Sequence, residues 1–398
     1  MRIAFVLNDF RLSGGVNVVL QYASRIAEGK SHKVALVVRD DARHGWAERF
    51  LSHVEVIPLE ESRSHTFDIA VATYWETVLL LGHVHSQSFV WFCQLYEDRF
   101  FPDRNPNIAT MQIVGSLPIP AITEATWIKN LLMSENPDRS VELVLNGIDK
   151  GVFFPAGTDD RPSDSFRVLI EGPLEPESKG TALALSGALG SRLATNITHV
   201  GSEPVKTSDH RYRFIHSSLS FQEMGQLYRE HHVLVKTPVA EGMFGPPLEA
   251  FHCGTPAIVT PVSGSEEYIV HDYNAWVVGW SNPDQLSRAI DKLADDPEQW
   301  QKLSSGALAT AAHWPTWEDQ AQSFERALLS VSPFSKMTRA DLANLGRTIG
   351  FADLMHWLAM RRLSDKAAGP GLVEAEVAKE EGNRRRHSRR KKKFFGRA

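Results

Sequence analysis

The chain has 398 residues, of which 42% are hydrophobic and 23% are charged. These proportions are those of an ordinary soluble protein, and the length is sufficient for two packed domains. Only two cysteines are present, Cys93 and Cys253, which argues against a disulfide scaffold and fits a reducing compartment. The formal net charge of −5 hides an uneven distribution, because residues 383–398 are strongly basic.

The N-terminus does not look like a signal peptide. It reads MRIAFVLNDF, a strand-like run with one basic residue and without a long apolar core or a small-residue cleavage site. No uninterrupted apolar stretch of the sequence approaches the length that a bilayer-spanning helix needs. We therefore expect a cytoplasmic protein.

The basic tail contains nine Arg or Lys residues and no acid at positions 383–398, a composition that predicts disorder. Basic clusters are attracted to anionic lipid by roughly 1 kcal/mol per charge near the surface, and Phe394 and Phe395 could insert at the interface. A solubilising terminus or nucleic-acid binding would account for the same charges. We favour contact with the inner face of the membrane and regard nucleic acid as an unlikely partner.

The first half of the chain alternates strand-like and helix-like segments. RIAFVLNDF and KVALVVRD are predicted strands, and between them SGGVNVVLQYASRIAEG predicts a glycine turn followed by an amphipathic helix. Further predicted strands are VEVIPL, DIAVATYW, SFVWFCQLY and QIVGSL, followed by a predicted helix, ITEATWIKNLLMS, and the strand VELVLNG. Repeated β–α units of this kind predict a parallel, doubly wound sheet.

The same pattern restarts after a polar stretch at residues 155–165, where we place a domain boundary. The predicted strands of the second half are FRVLIEG, ITHVGS, RYRFIHS, HVLVKTP, PAIVTP and NAWVVGW, and helix-like segments such as SFQEMGQLYREH and PDQLSRAIDKLADD lie between them. Two Rossmann-like halves joined by a short linker would enclose a ligand in the cleft between them.

The segment from Glu241 to Glu249 reads EGMFGPPLE. Its prolines suit the first turn of a helix, and its glycines let the backbone approach a ligand closely. A helix start binds anions through its unpaired N–H groups and its dipole. Glu249, one turn into the helix, should instead accept hydrogen bonds from hydroxyl groups, such as the vicinal diol of a ribose. Glu249 taken alone is better explained by the preference of helix starts for acidic residues.

This string, followed by C-G-T-P, resembles the E-x7-E signature of retaining GT-B glycosyltransferases of family four. The resemblance covers residues 1 to about 331. It implies an α/β GT-B fold, in which two Rossmann-like, doubly wound domains face each other across a cleft. The implied domains are an N-terminal acceptor domain at residues 1–155, which a crossing helix at about 316–331 joins, and a donor domain at 156–315. A helical extension at 333–375 and the basic tail at 376–398 lie outside the resemblance.

Shorter strings fall where this family has its loops. Ser13–Val16, which reads SGGV, resembles the glycine loop that approaches the donor diphosphate, although any tight βα turn also recruits glycine. Leu145–Asp149 resembles the N-G-[VI]-D turn that ends the N-terminal domain. Ser263–Ile269 is similar to the glycine loop and the E-[VYI]-I string of the donor domain, and we expect Glu267 within it to be structural.

The segment Gly172–Gly180 reads GPLEPESKG and is similar to the family's G-R-x-x-x-x-K-G loop. Lys179 matches the lysine that neutralises the nucleotide diphosphate, although a solvated loop lysine is the simpler account of that residue alone. Pro173 stands where the family has arginine, which leaves one cation fewer for the leaving group.

Two strings of the first half resemble a rhamnosyltransferase branch. They are ATYWET at residues 72–77 and the aromatic string at residues 91–102, which has Leu95 where that branch usually has Asp. Strand ends and an aromatic core loop explain both strings equally well. A dTDP-rhamnose donor is the leading expectation, UDP- and GDP-linked sugars remain open, and the acceptor is expected to be a glycan or a lipid-linked glycan.

The resemblance implies roles for the site residues in sugar transfer with retention. The catalytic residues that it implies are Glu241 and Lys179. Glu241 would hold the hydroxyls of the sugar ring. Lys179, together with backbone N–H groups, would stabilise the charge of the leaving phosphate. The residues implied in donor binding are Gly14, Gly15, Gly242, Met243, Phe244, Gly245 and Glu249. We expect no cofactor and no metal, because the sequence lacks the D-x-D string of metal-dependent glycosyltransferases and a convincing His or Cys cluster; Asp40–Asp41 and Asp159–Asp160 are merely adjacent acids.

Two other functions remain compatible with these residues. A catalytically silent GT-B scaffold that binds nucleotide-sugars is supported by the missing arginine and opposed by the glutamate pair. A GT-B-like sugar-nucleotide epimerase would use a similar site.

Overall fold

The computed structural model describes residues 1–42, 44–96, 108–155, 165–280 and 282–350. The chain divides into a body, Met1–Ala343, and a C-terminal unit, Asn344–Ala398. Within the described residues, the body contains two parallel β-sheets with helices packed on them. This arrangement confirms the predicted α/β fold with two Rossmann-like halves.

The first domain is built on a parallel sheet in the order β3-β2-β1-β4-β5-β6-β7. Its strands are β1 Arg2–Leu7, β2 Lys33–Val38, β3 Glu55–Pro58, β4 Thr66–Ala72, β5 His85–Cys93, β6 Ala121–Thr123 and β7 Val141–Leu143. Its helices are α1 Gly14–Glu28, α2 Trp75–Leu80, α3 Ile108–Ser116 and α4 Thr126–Glu135. The central strands are nearly continuous apolar runs because helices cover both faces of the sheet.

The second domain is built on a parallel sheet in the order β10-β9-β8-β11-β12-β13. Its strands are β8 Arg167–Glu171, β9 Asn196–Gly201, β10 Tyr212–His216, β11 Val233–Lys236, β12 Ala257–Val259 and β13 Ala275–Val277. Its helices are α5 Thr181–Gly190, α6 Phe221–Glu230, α7 Gly245–His252, α8 Pro283–Asp295 and α9 Pro297–His313.

Each sheet reverses its strand order once near its centre, between β1 and β4 in the first domain and between β8 and β11 in the second. In open parallel sheets, ligands bind beyond the carboxyl ends of the strands at this reversal, because the loops there diverge and leave a crevice. The loops after β1, β8 and β11 carry the glycine pair, Lys179 and Glu241. The topology therefore places the predicted site residues at the two reversal points.

After the second domain, helix α10, Trp317–Val331, returns to the first domain. Its buried Phe324 stacks on Tyr22 at a ring-centroid distance of 4.4 Å and meets Phe92 edge-on at 4.9 Å. Trp317 packs edge-on against the same Tyr22 at 5.4 Å. The core of the first domain is thus completed by a helix that follows the second domain in sequence.

Two predicted elements of the first half are wrong. The run QIVGSL, expected as a strand, lies in α3, where Met111, Val114 and Gly115 are buried at helical spacing. A short apolar run cannot distinguish a strand from a buried helix by its periodicity. The predicted helix ITEATWIKNLLMS begins instead as strand β6, because its first residues pair with β5 and β7, and the helix α4 starts at Thr126.

Several expectations fall outside the described residues. They concern most of the polar boundary stretch, residues 97–102 of the aromatic string, Asp159–Asp160, the extension beyond residue 350 and the basic tail. Residues 339–350, at the start of the predicted helical extension, are helical. The domain limits at 155 and 156 stay a prediction. Among the residues that the structure describes, no helix is long and apolar enough to cross a bilayer.

We expect the substitution Phe324→Ala to lower the free energy of unfolding by roughly 3–5 kcal/mol, because it removes a fully buried aromatic ring and leaves a cavity. Chemical denaturation monitored by tryptophan fluorescence measures the change. The matched control is Leu329→Ala on the exposed side of the same helix, which should change stability by less than about 0.5 kcal/mol. Equal effects of the two substitutions would contradict the packing of α10 on the first domain.

Candidate functional site

The loop after β11 makes close contacts with the first domain. The indole N–H of Trp127 donates a hydrogen bond of 2.9 Å to the carbonyl of Gly242. Any side chain at position 242 would collide with the carbonyl oxygen of Gln94. Glycine is therefore required here for the approach of two backbones from different domains, and Gly242 is buried between them.

A second contact between the domains involves Glu267, which the sequence analysis expected to be structural. Its carboxylate accepts hydrogen bonds from the backbone N–H and the hydroxyl of Thr126, the latter at 3.2 Å. Thr126 is the first residue of α4, so the carboxylate also lies at the positive end of a helix dipole. This contact and the contact of Trp127 with Gly242 therefore join the start of α4 to two different loops of the second domain.

Glu124, at the end of β6, is buried at this junction. Its carboxyl accepts hydrogen bonds from the backbone N–H of Met243 at 3.2 Å and from Nδ2 of Asn146 at 2.8 Å. Burial raises the pKa of Glu124 to about 8, and the nearby Glu241 carboxylate adds to the rise. The group therefore carries a proton at neutral pH. Met243 was predicted to bind the donor, but its backbone N–H already has a hydrogen-bond partner in Glu124.

Glu241 and Lys179 form an ion pair across two loops of the second domain. Nζ of Lys179 lies 3.1 Å and 3.2 Å from the two carboxylate oxygens of Glu241. The Lys179 side chain is 31% exposed and the Glu241 side chain 16%. Ser263 fixes the backbone of Glu241, since its hydroxyl donates to the Glu241 carbonyl at 2.9 Å. The two residues predicted to be catalytic are thus in direct contact.

The start of α7 offers fewer backbone donors than an ordinary helix. Phe244 is the N-cap and Gly245 the first helical residue, but the two prolines that follow have no N–H. A side chain at Gly245 would have no atom of the described chain within 4 Å, so this face is open. The side chains of Met243 and Phe244 lie in the core of the second domain. Among the first three helical residues, Gly245 is therefore the one with a backbone N–H that could hold an anion.

Glu249 lies one turn into α7 and is half-buried. The Tyr228 hydroxyl donates a hydrogen bond of 3.1 Å to its Oε2. Burial, and then the neighbouring Glu171 carboxylate, raise the pKa of Glu249 to about 7, while Tyr228 and Lys236 partly oppose the rise. A ligand hydroxyl that donates to this carboxylate would stabilise its charged form.

The glycine pair of the first domain begins helix α1. The Ser13 hydroxyl caps the helix by accepting from the N–H of Val16 at 3.2 Å, and Gly14 and Gly15 are the first two helical residues. Neither glycine has a positive φ. A Cβ at Gly14 would meet open space, and one at Gly15 would lie 3.6 Å from the Gln94 side-chain amide. Gln94 therefore adjoins both Gly15 and Gly242, which brings the two predicted loops together.

Four residues contribute to the site without having been predicted from the sequence: Glu124, Trp127, Tyr228 and Lys236. One signal was available: Lys236 is a charged residue inside the apolar run HVLVKTP, at a position expected to be buried. The structure places it at the end of β11, 5% exposed, with its ammonium donating to the Glu171 carbonyl at 2.8 Å and pairing with the Glu171 carboxylate. Glu124 and Tyr228 have no comparable signal in their neighbouring residues.

Within the described ranges, no group of three or more His, Cys, Asp or Glu side chains is arranged to hold a metal ion. The expectation that the protein needs neither metal nor cofactor stays a prediction.

The protonated state of Glu124 gives stability a definite pH dependence. Between the ordinary pKa of 4.5 and the folded value of about 8, the unfolded chain loses this proton while the folded protein keeps it. The contribution of Glu124 to stability therefore falls as the pH rises through this window, by at most about 1.4 kcal/mol per pH unit. We expect Glu124→Gln to remove this decline, so that the variant gains stability relative to the parent with increasing pH.

Urea denaturation across that window measures the difference. The control is Glu135→Gln, an exposed glutamate at the end of α4, which should leave the pH dependence unchanged. Parallel curves for the parent and Glu124→Gln would show that Glu124 does not bury a proton.

Comparison with known proteins adds a family match. Residues 213–309, which include both Glu241 and Glu249, match the model of the family described as glycosyl transferases group 1. Sucrose synthase isoform 1 of Daucus carota is 27% identical over 116 residues, which cover 27% of this chain and 14% of that enzyme. The chain spans between 14% and 21% of the length of the sucrose synthases that it matches.

Two solved structures share the fold over most of the chain. The Anabaena protein HepE, in complex with UDP-glucose, has a TM-score of 0.68 at 14% identity and covers 83% of this chain and 100% of its own. Sucrose-phosphate synthase from Thermosynechococcus elongatus has a TM-score of 0.69 at 14% identity, with coverage of 83% and 98%. The family match in the second domain and the fold shared with these structures support a GT-B glycosyltransferase.

Proposed function

We propose that the protein transfers a sugar from a nucleotide-sugar to a hydroxyl group of a glycan or lipid-linked acceptor, with retention of configuration and without a metal. The observation that carries this proposal is the contact between Lys179 and Glu241 beside the start of α7. It puts a cation suited to a phosphate next to a carboxylate suited to sugar hydroxyls. The group 1 family match over both glutamates supports the same reaction class.

The remaining donor contacts follow from the geometry around this pair. A Cβ at Gly245 would meet open space, and the helix dipole favours a diphosphate at this helix start. Glu249, one turn further, would accept a hydrogen bond from the sugar of the nucleoside. Gly14 and Gly15 leave room for the diphosphate on the side of the first domain.

The reaction then needs charge stabilisation more than acid–base groups. The bond between the anomeric carbon and the diphosphate oxygen breaks, and its electron pair leaves with the phosphate. The acceptor oxygen forms the new bond on the same face, and its proton passes to the leaving phosphate. Lys179 and the backbone N–H groups would stabilise the phosphate charge, while the Glu241 carboxylate would favour the positive charge that develops on the sugar.

The proposal also concerns which nucleotide-sugar is the donor. The two strings that resemble the rhamnosyltransferase branch favour dTDP-rhamnose. HepE is bound to UDP-glucose in its structure, so UDP-sugars are the first alternative. Because such transferases slowly transfer sugar to water, released nucleoside diphosphate reports the donor even when the acceptor is unknown.

We expect incubation with dTDP-rhamnose, UDP-glucose and GDP-mannose, in the presence of EDTA, to release nucleoside diphosphate from one of them. Release that requires an added divalent metal would refute the metal-independent mechanism.

A second function, a catalytically silent scaffold, is favoured by Pro173 in place of the expected arginine. Binding of a donor without any release would support that scaffold and overturn the proposed transfer.

We expect Glu249→Ala to weaken nucleoside diphosphate binding by roughly tenfold or more, since a hydrogen bond to a charged group contributes about 1.5–3 kcal/mol. Glu241→Ala should instead lower turnover and leave the affinity for the free nucleotide within about twofold, because this carboxylate contacts the sugar. Titration calorimetry and the release assay measure the two effects. Glu298→Gln, an exposed glutamate on α9, is the control. Parent-like nucleotide binding by both alanine variants would show that the assigned roles are wrong.

A further inference from the structure

Lys236 is a buried cation that the proposed transfer does not yet use. It ends β11, next to the end of β8, because the register pairs Val235 with Ile170. Taking an ammonium group out of water is costly unless a charge and hydrogen bonds compensate it. The Glu171 carboxylate and carbonyl provide that compensation. The pair stands at the reversal point of the second sheet, where the fold places ligands.

The ammonium group of Lys236 adjoins the loop that resembles the family's diphosphate loop. A Cβ at Gly172, the first residue of this loop, would lie 3.4 Å from Nζ of Lys236 and 2.7 Å from Oγ1 of Thr181. Gly172 has a φ of +142°, a conformation that favours glycine. Gly172 therefore lies directly against both the Lys236 ammonium group and the Thr181 hydroxyl group, without room for a side chain.

Two hydroxyl groups, one at the end of this loop and one at the start of α5, are buried without partners. Oγ1 of Thr181 and Oγ of Ser178 find no hydrogen-bond partner among the described residues. Thr181 is 2% exposed and is the first residue of α5. Buried hydroxyls normally find a partner in the protein or in ordered water, and the oxygens of a ligand can serve in the same way. Their position beside two lysines, at the start of a helix, fits the oxygens of a phosphate group.

We propose that Lys236, together with the Thr181 hydroxyl, binds the diphosphate of the donor and supplies the positive charge that Pro173 removes from the loop. This inference rests on the proposed function and names a residue for it. Glu171 holds the ammonium group in place before the donor binds. Lys179 approaches the diphosphate from the Glu241 side, and Lys236 approaches it from the Gly172 side.

The variants separate a phosphate contact from a structural ion pair. Lys236→Met removes the charge and keeps the length of the side chain, but it leaves Glu171 without its partner. The double variant K236M/E171Q removes both charges, and Glu171→Gln alone frees the lysine. Lys236→Arg restores a cation. Circular dichroism and thermal denaturation establish that each variant is folded before binding is measured.

Titration calorimetry with UDP, UMP, dTDP and dTMP tests the contact. We expect K236M and K236M/E171Q to bind the diphosphate of the preferred base about tenfold more weakly, while monophosphate binding changes less than about twofold. E171Q and K236R should bind the diphosphate within about threefold of the parent. A structural ion pair alone predicts a different pattern, in which the double variant recovers parent-like affinity.

The outcomes also distinguish this inference from the proposed function. If K236M/E171Q binds the diphosphate as the parent does, while Lys179→Met does not, the role of Lys236 is refuted and the transfer reaction stands. If the parent protein binds none of the four nucleotides and releases none from any donor, the proposed function itself fails. An equal loss of monophosphate and diphosphate affinity in the folded double variant also refutes a diphosphate-specific contact.

Discussion

The close approach between the loop at Gly242 and the first domain is the constraint on which the site depends. The indole of Trp127 holds the Gly242 carbonyl, and the Gln94 carbonyl occupies the space that a side chain at 242 would need. Glu241 and Gly245 flank this contact, so their positions relative to the first domain follow from it. A larger residue at 242 would separate the domains, and the glycine pair of α1 would then no longer adjoin the second domain through Gln94.

A second consequence concerns charge. The carboxyl groups of Glu124, Glu241, Glu249 and Glu171 lie around a site proposed to bind a dianionic diphosphate. Glu124 avoids repulsion by keeping its proton, and Glu241 and Glu171 are each paired with a lysine. A lysine can exchange one anionic partner for another. Lys179 and Lys236 would therefore neutralise the glutamates before the donor binds and the phosphates after it binds. The arrangement explains how several acids can surround a site that we propose to bind an anion.

The elements that the sequence predicts well are those with a long periodic pattern. The strands in RIAFVLNDF and KVALVVRD and the helices α1 and α8 are recognisable from their apolar spacing. The run QIVGSL and the segment that begins with Ile122 are not recognisable in this way. Whether each forms a strand or a helix depends on the elements that pack against it. Pairing with β5 and β7 turns Ala121–Thr123 into a strand, whereas helical packing buries one face of α3. Short apolar segments carry too few residues for their periodicity to decide between the two.

The sequence by itself determined the parallel α/β class, the repetition of the Rossmann-like pattern and the spacing of Glu241 and Glu249 along one helix start. These properties are local, because they depend on residues within one element or one loop. Only the tertiary structure decided that Lys179 meets Glu241, that Gly242 serves a contact between domains, and that Lys236 and Thr181 both lie against Gly172. Each of these contacts joins segments that are distant in sequence. The pairing of β8 with β11 brings together the contacts within the second domain, and the packing of the two domains makes the contact at Gly242.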